Sequence, residues 1–183
     1  MLADSTLLIF VAVFQISTSQ GPPPLPPNLP KECLQPPPVD NPRKCCDIPP
    51  IFKEEDFQGC GFQRVDAANP GMPPGPPDCS KQICLLKTRN LVKDDDTVDQ
   101  EAVLKFMDTW VEPYPDFKPT VESAKAKCIG RELPGPPEIC DANKMVFCIS
   151  SILFMECPKW KNELEDCRAL KNQIDTCEKY FPH

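Results

Sequence analysis

Twelve cysteines constrain this chain of 183 residues more than any other feature. Thiols at that density would stay free and reactive in a reducing compartment, whereas an oxidising one lets them staple a fold. Their number is even, so six disulfides can form with no thiol left over. The N-terminus points to the same compartment. Leu7 to Ile16 is apolar apart from Gln15, and Ser17 and Ser19 put small residues just ahead of Gln20. Residues 1–19 therefore read as a secretory signal peptide, though Asp4 is the only charged side chain ahead of the apolar run. That run is too short to cross a bilayer, so no membrane insertion is expected. The net charge of −7 argues against nucleic acid or anionic membrane as a partner. No Asn-x-Ser/Thr acceptor for N-glycosylation occurs.

Proline divides the rest of the chain. Residues 20–44 begin with Pro22-Pro23-Pro24 and continue to Pro36-Pro37-Pro38. Such a stretch has few amides to donate and favours polyproline II. It reads as an extended arm pinned by Cys33, or else as a ligand for proline-reading domains, which are mostly intracellular. A helical core over 45–157 and a C-terminal disulfide-linked helix over 158–183 complete the expected organisation. Within the core, Pro70 to Pro77 leads into Asp78-Cys79, and Leu133-Pro134-Gly135-Pro136-Pro137-Glu138-Ile139-Cys140 echoes it. Both read as rigid turns feeding a helix that begins near a cysteine, by duplication or by convergent turn chemistry.

Between these breaks the periodicity is helical. A helix over Ser80 to Val92 carries Ile83, Leu85, Leu86 and Leu91 inward. Thr97 with Gln100 matches a capping box. Val103, Phe106, Met107, Trp110 and Val111 then form one stripe at the 3.6-residue period, ended by Pro113 and Pro115. Pro119-Thr120 starts a short helix through Cys128. Met145 to Met155 is apolar all round, broken only by Ser150 and Ser151, which predicts a buried helix capped by Asp141. After Cys157-Pro158, Trp160, Leu164, Cys167, Leu170, Ile174, Cys177 and Phe181 fall on one helical face. No strand pattern is evident. The expected fold is all-α, with five to eight short helices cross-linked by six disulfides around an apolar cavity.

Chemistry at this sequence is scarce. Structural zinc calls for close ligand pairs such as C-x2-C, and none occurs. Thiol redox catalysis fails on the same spacing. The single histidine, His183, is terminal, so a hydrolytic triad has no internal base. The acidic runs Glu54-Glu55-Asp56 and Asp94-Asp95-Asp96 precede expected helices, where the dipole favours anions, and the second lacks calcium-loop spacing. No enzyme activity, metal or cofactor is expected.

Binding remains. A cross-linked helical shell can leave part of its core unfilled and still fold. Burying a ten-carbon ligand at about 0.8 kcal/mol per CH2 yields roughly 8 kcal/mol before association entropy, which points to micromolar affinity. Candidate lining residues are Val103, Phe106, Met107 and Trp110 on one helix. Met145, Phe147, Ile149, Ile152, Leu153 and Phe154 supply the other. Methionine repacks readily around varied ligands. A solid core in these helices is the competing reading. It would suit a secreted interaction or inhibitor protein, or a structural component, without a ligand cavity.

The cysteine order Cys79-x4-Cys84-x43-Cys128, followed by Cys148-x8-Cys157, resembles the ladder of insect odorant-binding proteins. Pro158 behind Cys157, the Cys45-Cys46 doublet and the late Cys167 and Cys177 resemble the extra-cysteine, Plus-C branch. Cys140 competes for the place before Cys148. The close pair is three residues apart in the family and four here. The family's first–third, second–fifth and fourth–sixth pairing implies Cys79–Cys148 and Cys128–Cys157, with Cys84 bonded to Cys46 or Cys60. Cys33, Cys45, Cys140, Cys167, Cys177 and the remaining partner would staple the arm and the C-terminal helix. The resemblance implies non-catalytic extracellular carriage of small hydrophobic odorants or pheromones, with a chemosensory receptor as a further partner.

Overall fold

Aspartate caps set where two of the helices begin. The computed structural model describes residues 26–62 and 78–180; the expected signal segment, the Pro70–Pro77 turn, Phe181 and His183 lie outside them. Six α-helices occur among the described residues: α1 (Glu54–Gly59), α2 (Cys79–Lys87), α3 (Gln100–Val111), α4 (Lys118–Cys128), α5 (Asp141–Met155) and α6 (Glu165–Cys177). Short 3-10 turns at Lys31–Leu34 and Pro42–Cys45 shape the N-terminal arm. Strand pairing among the described residues is limited to two isolated bridges, Cys46 with Trp160 and Val92 with Val98.

The acidic run Glu54-Glu55-Asp56 forms the first turn of α1, where Asp56 accepts the Lys53 N–H at 2.8 Å. Asp78 caps α2 by accepting the Ser80 N–H at 3.0 Å. That helix stops at Lys87, short of the expected Val92. Asn90 takes a left-handed φ of 56°, and Val92 pairs back with Val98. The expected Thr97–Gln100 capping box does not form. Thr97 donates instead to Asp95, and Asp99 caps α3 by accepting the Ala102 N–H at 3.0 Å. α3 ends ahead of Pro113 and α4 runs to Cys128, as their sequences require.

α4 and α5 form the largest helix pair, with α2 against α5 and α3 against α4. Phe117, Val121, Ala124, Cys128, Ile152 and Leu153 are almost fully buried at this centre. Expected all-round burial of α5 is overturned at Phe147, which is 75% exposed. Too few helices surround α5 to cover every face. Its first turn differs by one residue as well, since Cys140 is the N-cap and Asp141 the first helical residue.

The C-terminal helix also begins later than its apolar stripe suggests. Trp160 pairs with Cys46, and the Lys161 N–H donates to the Cys45 carbonyl at 2.9 Å. Residues 158–164 are thereby held out of the helix. Within α6, Cys167 and Leu170 are buried with Val39 and Cys45 in a second small core, flanked by Phe154 and Trp160. The Gln173 side-chain amide donates to the Glu32 and Gln35 carbonyls, docking the arm on α6.

All twelve cysteines pair: Cys33–Cys177, Cys45–Cys167, Cys46–Cys157, Cys60–Cys84, Cys79–Cys140 and Cys128–Cys148. Two expected bonds are corrected. Cys79 joins Cys140, not Cys148, and Cys128 joins Cys148, not Cys157. The cause is position along α5. Cys140 stands at its N-terminus, and Cys148 lies eight residues on, about 12 Å along the axis. No disulfide can span that offset, so the α2 start takes Cys140 and the α4 end takes Cys148. Cys157, past α5, is left to hold Cys46. The first–third, second–fifth, fourth–sixth order itself is kept when the six cysteines are counted as Cys60, Cys79, Cys84, Cys128, Cys140 and Cys148.

Candidate ligand cavity

α2, α3 and α5 face one another without filling the space between them. A cavity of about 750 Å³ lies there, within the usual range for small-molecule pockets. α3 contributes Val103, Phe106, Met107 and Trp110; α5 contributes Met145, Val146, Ile149, Ser150 and Leu153. α2 supplies Gln82, Leu85 and Leu86, while Leu91 and Val121 reach in from either side.

The remaining wall comes from the N-terminal segment. Ile48, Pro49, Pro50, Ile51 and Phe52 lie along the cavity, followed by Phe57 and Phe62. Proline suits this duty because it has no N–H to strand against an apolar surface. The segment is tied at both ends, by Cys46–Cys157 and by Cys60–Cys84. Trp110 donates its indole N–H to the Pro50 carbonyl at 3.4 Å. Phe52, Phe57 and Phe62 stack edge to face in series, with centroids 6.0 and 5.6 Å apart. The Arg89 guanidinium lies 6.0 Å from the Phe52 ring and bonds Asp56 at 3.0 Å, fixing the aromatic row to the end of α2.

Seven of the ten residues expected to line a pocket come together here: Val103, Phe106, Met107, Trp110, Met145, Ile149 and Leu153. Three sit elsewhere. Phe147 faces solvent, Ile152 is packed in the core, and Phe154 stacks on Trp160 with centroids 5.2 Å apart. Sequence periodicity missed the whole wall from Ile48 to Phe62, and Gln82, Leu85 and Leu86. The available signal was an apolar run broken by prolines between two cysteines, which needs a surface to lie on.

Arg43 and Glu54 are exposed charged residues of the lining, and the groups with shifted acidity lie elsewhere. Asp78 and Asp95 are held below the usual carboxylate range, Asp78 first by the Ser80 N–H and Asp95 first by the Thr97 hydroxyl. Lys44 does the same for Asp166. Burial pulls the Lys125 ammonium down, but its bonds to Asp108 and Glu122 outweigh that and raise it. None of these groups lines the cavity. Among the described residues, no three His, Cys, Asp or Glu side chains cluster as a metal site, and no helix is long and apolar enough to cross a membrane.

A mainly apolar, partly open cavity behind disulfide-tied walls invites comparison with known proteins. The chain is similar to general odorant-binding protein 68 of Anopheles gambiae. The two are 30% identical over 120 residues, which cover 64% of this chain and 52% of the mosquito protein. The match thus spans about half the length of that relative. No family model matches the chain.

Proposed function

We propose that this chain is a non-enzymatic, extracellular carrier of small hydrophobic ligands, of the odorant-binding kind and its extra-cysteine branch. The cavity carries this reading: about 750 Å³, walled mainly by aliphatic, aromatic and thioether side chains. The ladder of Cys60–Cys84, Cys79–Cys140 and Cys128–Cys148, in the family's order, and the mosquito relative support it. In this proposal residues 1–19 direct secretion, and odorants or pheromones occupy the space between α2, α3, α5 and the Ile48–Phe62 wall. The seven gathered residues of α3 and α5 contact the ligand, and a chemosensory receptor receives it. A secreted interaction protein would have a solid core at this place, so the cavity favours carriage.

Micromolar affinity is expected for a ligand of about ten carbons. A hydrophobic fluorescent naphthylamine probe, titrated into the oxidised protein, should bind saturably and be displaced by long-chain alcohols or aromatic volatiles. Absence of saturable binding would overturn the proposal.

A further inference from the structure

The walls of the cavity differ in how they are held. Cys79–Cys140 joins α2 to α5, and Cys128–Cys148 joins α4 to α5. Leu85, Leu86, Val103, Met107, Met145 and Leu153 on the helical walls are buried. On the N-terminal wall, Ile48, Ile51, Phe52 and Phe57 are only half-buried, and Pro50 and Glu54 are exposed. That wall therefore touches cavity and solvent at once. Among the described residues, no backbone–backbone hydrogen bond runs from residues 47–59 to α2–α6. Disulfides at Cys46 and Cys60 hold the ends of the segment, and side chains hold its middle. Arg89 donates to Asp56 at 3.0 Å and lies 6.0 Å from the Phe52 ring, while the Trp110 N–H reaches the Pro50 carbonyl at a long 3.4 Å. The Arg89 Nε is buried without a hydrogen-bond partner, so parting Arg89 from this segment lets water reach a donor that lacks one.

We infer that the segment between Cys46 and Cys60 is the door of the cavity: a strap that bows outward on its two disulfide-tied ends, with Arg89 as its latch on Asp56 and Phe52. The inference rests on the carrier reading and gives its route of ligand exchange. Parting the helices would break buried apolar packing across two disulfides. Lifting the middle of the strap breaks one half-buried ion pair, one cation–ring contact and one long hydrogen bond. Arg89 and Asp56 lie outside the lining, so they hold the door without touching what is behind it. The latch contacts exist only in the shut state. Their removal raises entry and release together and leaves the equilibrium affinity as it was.

The test is stopped-flow association and displacement of the naphthylamine probe on the full oxidised chain, on Arg89→Met and on Asp56→Asn, which keeps an acceptor for the Lys53 N–H. Arg89→Met should speed association and release alike, each by about fivefold, with Kd within about twofold of native. Asp56→Asn, which keeps the Arg89–Phe52 contact, should speed both by a smaller factor. Unchanged rates in variants that bind probe overturn the door and leave the carrier reading standing. Faster release with unchanged association, and hence a weaker Kd, also overturns it, because Arg89 would then support the bound pocket. No probe binding to the native protein overturns door and carrier together. Should neither variant fold, methyl relaxation dispersion on the native protein decides. Exchange at Ile48 and Ile51 with none at Ile149 and Ile152 supports the door, and any other distribution overturns it.

Discussion

Removal of Cys46–Cys157 should destabilise the protein far less than its span suggests. The bond closes 111 residues, for which chain entropy alone corresponds to about 5 kcal/mol. Cys45–Cys167 changes that figure, because it already ties the residue next to Cys46 to one close behind Cys157. With it intact, the loop that Cys46–Cys157 closes is only about a dozen residues, worth ~3 kcal/mol. The double variant Cys46→Ala/Cys157→Ala should therefore lose about 3 kcal/mol, or roughly 6–12 °C in Tm. Cys45→Ala/Cys167→Ala should lose a similar amount, since the two bonds share that loop. With all four cysteines replaced, the shortest closed path runs through Cys33–Cys177 and is about 35 residues long. The quadruple variant should thus exceed the sum of the doubles by about 1 kcal/mol. Equilibrium urea unfolding, with the remaining disulfides oxidised, measures all three. A loss near 5 kcal/mol in either double variant, with the quadruple no worse than the sum, would refute the shared-loop reasoning.

Other parts of the fold make separate predictions. Asp99→Ala removes the cap of α3 and should cost about 1 kcal/mol in urea unfolding, with Asp99→Asn largely restoring it. Phe147→Ser, at an exposed site outside the cavity, should leave stability within about 0.5 kcal/mol and probe affinity unchanged. Asp78, Asp95 and Asp166 have lowered folded-state pKa values. Each therefore adds stability above the unfolded carboxylate range and loses it as pH falls through the folded value. The thermal midpoint and probe affinity should accordingly be flat from pH 8 to 6, with stability declining below about pH 4. Lys125, being raised, loses its contribution only on the alkaline side.

Helix content was legible because α3, α4 and α5 carry strong local signals: an apolar stripe, a proline start and a long apolar run. Most places where the reading departs from the structure are governed by contacts distant in sequence, and the Thr97 cap is lost to a neighbour two residues away. Trp160 looks like the first residue of a helical stripe until Cys46 pairs with its backbone. Thr97 looks like a cap until Asp95 takes its hydroxyl. Cysteine register follows the same logic. The x8 spacing of Cys148 and Cys157 matched a ladder, yet it is the position of α5 against α2 and α4 that decides which cysteine each partner meets. The echoed Gly-Pro-Pro-acid turns did hold the answer in part, since the two cysteines they introduce, Cys79 and Cys140, bond each other. In the cavity, the periodic faces of α3 and α5 were readable from sequence. The Ile48–Phe62 wall was not, because a proline-broken segment has no periodicity and its placement depends on Cys46–Cys157 and Cys60–Cys84.

Carriage in this cavity is tested most directly by locating a bound ligand. Isotope-filtered nuclear Overhauser spectra of the oxidised protein with 2-undecanone should connect the ligand chain to the methyls of Leu86, Met107, Met145, Ile149 and Leu153, and to Phe52 on the covering segment. Contacts confined to exposed Phe147, or ligand resonances that show no contact with these methyls at saturating probe-competitive concentrations, would contradict it.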